Sequence, residues 1–79
     1  MTPEILEVRL QDGTLQHQIQ ISKSGSRGLK VQGNYVPSGI WAYDQESFRQ
    51  IVERKAKVEY GESVQVEYRD ENHKSHSLT

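Results

Sequence analysis

The chain has 79 residues, no cysteine and a formal net charge of −1, with ten Lys and Arg against eleven Asp and Glu. A single domain of this size hides only about 60% of its unfolded surface, which excludes a large enclosed active site. The sequence shows neither a membrane-spanning apolar run nor a signal-peptide pattern, and a cysteine-free chain fits a reducing compartment, so we expect a cytoplasmic protein.

The first predicted element is a β-hairpin around Asp12-Gly13. Apolar and polar residues alternate on both sides of this dipeptide, as they do in half-buried strands. Asp-Gly favours a two-residue type I′ turn. Such a turn sets three cross-strand pairs, which are Leu6 with Ile19, Val8 with His17 and Leu10 with Leu15. This register collects the apolar side chains on one face and leaves a row of glutamines on the other.

A polar loop and a less regular segment follow the hairpin. Residues 22–28 are small, polar or cationic and predict a mobile loop. Leu29 and Val31 restart the alternation and predict a short strand, with both side chains on one face. Residues 35–41 place aromatic and β-branched residues around Pro37 and Gly39, which indicates extended, irregular chain with room for an edge strand.

The clearest helix signal begins at Asp44, a good N-cap residue. An apolar stripe at helical spacing comprises Phe48, Ile51, Val52 and Ala56, and the opposite-charge pairs Arg49–Glu53 and Glu53–Lys57 are expected on the wet side. Two endings fit the sequence, because Gly61 can cap the helix or residues 58–60 can already form a strand. In both cases Val64, Val66 and Tyr68 predict a final strand.

These elements predict the α+β class. We expect a small, mainly antiparallel twisted sheet, made of the N-terminal hairpin, one or two central strands and a C-terminal strand, with one helix packed across it. Residues 1–69 are predicted to form a single domain. Residues 70–79 are predicted to be a disordered polar tail, because they contain too little apolar surface to pack.

The sequence does not predict an enzyme, a metal site or a cofactor. His17 is expected to be a partly buried strand residue that bonds one neighbour, and no nucleophile and base can be paired with it. His73 and His76 offer two imidazoles, whereas a zinc site requires three or four ligands. No small-molecule substrate is indicated.

Charge is unevenly distributed along the chain. Residues 21–43 contain three cations and no acid, and three aromatic residues fall among or after them. The combined set is Lys23, Arg27, Lys30, Tyr35, Trp41 and Tyr43. Cations that follow phosphates and rings that stack on bases are typical of proteins that bind single-stranded nucleic acid. The overall pI of about 6.3 lacks the basic signature of that class.

Trp41 can be interpreted as the largest block of a small core or as the anchor of an interface. Because the core is thin, we expect at least part of this ring to contact another molecule. The leading hypothesis is a non-catalytic module that docks to a protein partner or to a second copy of itself through the six residues named above. The alternative is a nucleic-acid-binding accessory protein that uses the same cations and rings.

Overall fold

A computed structural model describes residues 3–25, 28–70 and 72–78. Its elements follow the chain as β1 Glu4–Arg9, β2 Leu15–Lys23, β3 Leu29–Gly33, β4 Gly39–Trp41, α1 Gln45–Tyr60, β5 Gln65–Arg69 and β6 Ser75–Ser77. The strands form one antiparallel sheet in the order β4-β3-β2-β1-β5-β6. The predicted α+β class, an antiparallel sheet with one helix across it, is confirmed.

The core lies between one face of the sheet and α1. The helix buries its stripe of Phe48, Val52 and Ala56 against this covered face. The sheet contributes alternate side chains, which are Leu6, Val8, Ile19, Ile21, Leu29, Val31 and Val66, and Val64 adds one more just before β5. The opposite face, here called the open face, has no covering element among the described residues and carries mostly polar side chains. The hydrophobic pattern therefore decides which side of the sheet the helix covers.

The first hairpin keeps most of its predicted register. Leu6 pairs with Ile19, and Val8 pairs with His17, as the alternation requires. An irregularity after Val8 then shifts the register, so that Arg9 faces Leu15. The predicted pairing of Leu15 with Leu10 is wrong.

The turn of this hairpin explains the shift. The Gly13 N–H donates to the Leu10 carbonyl, and the Leu10 N–H donates to the Thr14 carbonyl, each at 2.9 Å. The loop therefore has three residues rather than two, with Gly13 at φ 92°. A three-residue loop with a left-handed glycine is the next most common hairpin connection, and the bulge beyond it returns the later pairs to the predicted register.

The helix is capped at both ends. The Asp44 carboxylate accepts a hydrogen bond from the Ser47 N–H at 2.7 Å. At the other end Gly61 adopts φ 92° and its N–H donates to the Lys57 carbonyl at 2.9 Å. The capping alternative is thus correct, and the strand alternative at 58–60 is wrong. At 16 residues and with a polar exposed side, α1 cannot span a membrane, and it is the only helix in the described ranges.

Residues 72–78 differ from the expected disordered tail. Strand β6 pairs with β5, and the Asp70 carboxylate accepts hydrogen bonds from the N–H groups of Asn72 and Lys74. The His76 ring stacks on Tyr68 at 4.7 Å and lies 3.0 Å from the Asp70 carboxylate. Hydrogen bonds, the ring stack and the packing of Leu78 against the core order this segment. The low apolar content of residues 70–79 does not reveal these contacts.

Candidate docking surface at the amino-terminal end of the helix

Trp41 lies in the edge strand β4 and packs against the core. Its indole meets the Phe48 ring edge-on, with centroids 5.3 Å apart and planes at 83°. The indole N–H donates to the Pro37 carbonyl at 2.9 Å. The residue as a whole remains partly exposed. Trp41 is therefore both a core residue and a surface residue, and its orientation is fixed from both sides.

Tyr43 lies against the outer side of this tryptophan. The two ring centroids are 6.0 Å apart with a tilt of 44°, and 46% of Tyr43 is exposed. Tyr43 also lines a cleft of about 770 Å³, here called the β4–α1 cleft. Its lining residues are Lys23, Gly25, Gly28, Leu29, Ala42, Tyr43, Asp44 and Gln45. An aromatic ring thus stands at the rim of the cleft with a fixed ring behind it.

Gly28 brings the two walls of the cleft together. Its φ is 95°, and a side chain at this position would collide with the Trp41 carbonyl. Only glycine accommodates both the positive φ and the close approach of the backbone. The chain entering β3 can therefore lie against the end of β4, which places Lys23 and Tyr43 around the same cleft.

The charges of the cleft are mixed. Lys23 contributes a cation, and Asp44 contributes a carboxylate at the helix N-terminus. Hydrogen bonds from the backbone and then the side chain of Ser47 hold the pKa of Asp44 below its ordinary value of 3.8. The carboxylate is therefore held in the cap, so a ligand in the cleft meets the Lys23 cation beside a fixed negative charge.

The structure brings together three of the six predicted site residues. Lys23 and Tyr43 line the β4–α1 cleft, and Trp41 contacts Tyr43 from behind. Lys30 lies between the buried Leu29 and Val31, so it belongs to the open face. Tyr35 lies at the other end of α1, and Arg27 lies outside the described residues.

Tyr35 belongs to a group here called the ring cluster, which consists of His17, Tyr35 and Tyr60. The imidazole stacks on Tyr35 at 4.0 Å, and its Nε2 lies 2.7 Å from the Tyr60 hydroxyl. The Tyr35 hydroxyl donates to the Glu59 carboxylate at 2.9 Å, and burial followed by this bond raises the pKa of Tyr35. Most polar groups of the cluster therefore bond to another member of it or to the adjacent Glu59. His17 bonds one neighbour, as expected, but its Nδ1 is buried without a partner in the described part of the chain.

Sequence reasoning missed the ion pair that joins β1 to α1. Arg49 was expected to pair with Glu53 on the wet side, but its guanidinium binds the carboxylate of Glu4, with Nε 2.9 Å from Oε2. Glu4 is only 3% exposed, and the guanidinium lies 3.8 Å from the centroid of the Tyr68 ring. An acidic residue on the apolar face of β1, in phase with Leu6, was the signal that a buried cation would be needed.

Comparison of the chain with family models, with curated proteins and with solved structures finds no match. Among residues 3–25, 28–70 and 72–78, no three His, Asp or Glu side chains are grouped so that they could hold a metal ion. A functional interpretation rests on the geometry of the cleft and on the contrast between its rings and the ring cluster.

Proposed function

We propose that this chain is a non-catalytic binding module that docks to a protein, either a different chain or a second copy, through the β4–α1 cleft. One observation carries the proposal: 46% of Tyr43 is exposed at the rim of the cleft while Trp41 supports its ring. A supported aromatic ring loses little conformational freedom when it is covered, and such rings dominate the free energy of many interfaces.

The cleft offers three kinds of contact to a partner. Leu29 and Ala42 supply apolar wall, Tyr43 supplies a ring with a hydroxyl, and Lys23 supplies a cation. A partner segment that inserts an apolar side chain beside Tyr43 and presents a carboxylate or carbonyl to Lys23 satisfies all of them. We propose the cytoplasm as the site of action, because a chain without cysteine is suited to a reducing compartment.

Nucleic acid binding is the second candidate. It is favoured by one feature, the cation of Lys23 beside the ring of Tyr43, since a cation and a stacking ring fit a phosphate and a base. It is the weaker candidate because Lys30 lies on the open face and the Asp44 carboxylate lines the same cleft. Repulsion between that carboxylate and a phosphate opposes binding.

Affinity capture with matched variants tests the proposal. The bait is the wild-type chain, Tyr43→Ala or the control Val58→Ala, which removes a side chain that is 85% exposed on α1. We expect wild type and the control to retain one stoichiometric protein from a lysate of the source cells and Tyr43→Ala to lose it. If Tyr43→Ala retains the same protein equally well, the cleft is not the docking surface.

A fluorescence titration separates the two candidates. Trp41 is the only tryptophan of the chain and contacts Tyr43, so its emission reports on the ring that lines the cleft. Single-stranded and duplex oligonucleotides are added at low and at high salt. Protein docking predicts unchanged emission in every arm, whereas quenching at low salt that high salt reverses supports nucleic acid binding.

A further inference from the structure

The carboxyl-terminal segment of the described chain, residues 72–78, is here called the strap. It lies along β5, at the edge of the sheet opposite to β4. Residues 72–77 are exposed, and the strap contributes one partly buried apolar side chain, Leu78, to the core. The Leu78 N–H donates to the Val66 carbonyl at 2.8 Å. Because burial of apolar area is the main force that fixes a strand, the strap is held more weakly than the inner strands.

Asp70 joins the strap to the end of β5. One oxygen of its carboxylate accepts hydrogen bonds from the N–H groups of Asn72 and Lys74, at 2.9 and 3.0 Å. The other oxygen lies 3.0 Å from Nε2 of the His76 ring. The bond to His76, and then the bond from the Lys74 N–H, holds the pKa of Asp70 below its ordinary value of 3.8. One ionised side chain therefore bonds both the beginning and the middle of the strap.

The turn that these bonds close contains a strained residue. His73 has φ 63°, and in the ranges that the structure describes it is the only residue other than glycine with a positive φ. A side chain disfavours this left-handed conformation, which persists only where surrounding contacts impose it. The contacts here are the bonds to the Asp70 carboxylate and the His73 N–H, which donates to the Asp70 carbonyl at 2.9 Å. The turn therefore opposes closure of the strap, while the carboxylate maintains it.

Beneath the strap, β5 has its own attachment to the fold. It pairs with β1 from Gln65 to Arg69, and the fully buried Val66 lies in the core. The Tyr68 ring stacks on His76 of the strap, but the Arg49 guanidinium of α1 also lies 3.8 Å from the centroid of that ring. When the strap is released, β5 and Tyr68 therefore keep their contacts with β1 and α1.

We propose that the strap opens and closes on β5 while the rest of the fold stays intact, and that the Asp70 carboxylate is the latch that holds it closed against the strained turn at His73. In the closed state the sheet ends in β6, which is short and polar and so resists pairing with another chain. Opening uncovers the longer edge of β5, at which an extended segment can pair. This inference is independent of the proposed docking function, because the residues that line the β4–α1 cleft lie in other segments.

Amide hydrogen exchange, followed residue by residue by NMR, tests the inference. Where reclosing is faster than exchange, the rate at an amide reports the population of the state that exposes it. The strap is read at the Leu78 N–H, which bonds to β5, and the core is read at the amides of β1, which is paired on both sides. We expect the Leu78 amide of the wild type to exchange at least about tenfold faster than the amides of β1.

Three variants test the latch and the strain. Asp70→Ala should speed exchange at Leu78 by at least about tenfold and leave β1 unchanged. Asp12→Ala is the matched control and should change neither, because Asp12 also accepts a backbone N–H at 2.9 Å in a turn, from Thr14, but lies in the first hairpin. His73→Gly should slow exchange at Leu78 by about twofold or more, since glycine adopts φ 63° without strain. Circular dichroism of each variant verifies that the fold is intact.

The inference is overturned if the Leu78 and β1 amides of the wild type exchange at the same rate, or if Asp70→Ala speeds both by the same factor. Either result would show that the segment opens only when the whole chain unfolds. Unchanged exchange at Leu78 in Asp70→Ala would reject the carboxylate as the latch. Faster exchange in His73→Gly would contradict the strained turn.

Discussion

Aromatic rings lie at both ends of α1, but their polar groups are used differently. At the carboxyl-terminal end, His17, Tyr60 and Tyr35 bond to one another or to Glu59. At the amino-terminal end, the indole N–H of Trp41 is bonded within the chain, while the Tyr43 hydroxyl has no hydrogen bond to any residue that the structure describes. The ring cluster uses its polar groups within the fold, and Tyr43 is the ring to which we propose that a partner docks.

This contrast shows that the presence of a ring does not by itself identify a contact surface. Tyr35 and Tyr43 are the same residue type, eight positions apart in one irregular segment. They differ in what surrounds them: Tyr35 is stacked on an imidazole, with the Lys55 ammonium 4.9 Å from its ring centroid, whereas Tyr43 touches Trp41 and is 46% exposed. The following variants test this difference by changing the rings at one end of α1 at a time.

The largest loss of stability is expected from Phe48→Ala, which removes the ring against which Trp41 packs. Phe48 is fully buried, and deletion of such a ring lowers the free energy of unfolding by about 3–5 kcal/mol. Urea denaturation measures this loss, and native Trp41 emission should shift as the indole becomes mobile. Phe48→Leu is the control and should lose less; a loss below about 1 kcal/mol with Phe48→Ala would contradict the core position of this residue.

An intermediate loss in the free energy of unfolding is expected from His17→Ala in the ring cluster. The change removes the ring stacked on Tyr35 and the nitrogen bonded to Tyr60, which together contribute about 2 kcal/mol. His17→Phe keeps a stacking ring and removes the buried Nδ1 that has no partner, so it should lose less than His17→Ala in the same urea titration. Equal losses would show that the stack contributes nothing.

A smaller change in stability is expected when the pH is lowered, because acid protonates the Asp44 carboxylate that caps α1. The pKa of Asp44 is lowered in the folded chain by the hydrogen bonds from Ser47. The stabilisation is therefore present above the ordinary pKa of 3.8 and is lost as the pH falls through the lower folded value. The difference in melting temperature between wild type and Asp44→Ala should shrink on acidification below that value. A difference that stays constant would exclude a charged cap.

The smallest effect on stability is expected from Tyr43→Ala. The side chain is half exposed and has no hydrogen bond within the described residues, so the free energy of unfolding should change by no more than about 0.5 kcal/mol. Urea denaturation checks this directly. A loss comparable with that of Phe48→Ala would mean that Tyr43 is a core residue.

Local patterns predicted much of the fold. The alternation around Asp12-Gly13 predicted the Leu6–Ile19 and Val8–His17 pairs, and Asp44 marked the start of the helix. Its end at Gly61 was one of two alternatives that the sequence left open. The hairpin loop was missed because Asp-Gly serves both two-residue and three-residue turns. The order in β6 was missed because the hydrogen bonds of Asp70 depend on a turn geometry that composition does not show.

The candidate site was predicted only in part, because proximity along the chain is not proximity in the fold. The alternation of Leu29 and Val31 already implied that Lys30 faces the opposite side of the sheet. The position of Tyr35 depends on the pairing of β3 with β4, which sends the connection between them to the far end of α1. No local pattern in a three-residue edge strand specifies that pairing.

The most direct test measures binding and stability together for Tyr43→Ala and His17→Ala. Capture of the partner and urea denaturation are performed on both variants and on wild type. We expect Tyr43→Ala to lose the partner at unchanged stability and His17→Ala to keep the partner at reduced stability. If Tyr43→Ala binds as wild type does, or if both variants lose binding only in proportion to their loss of stability, the β4–α1 cleft is not the docking surface.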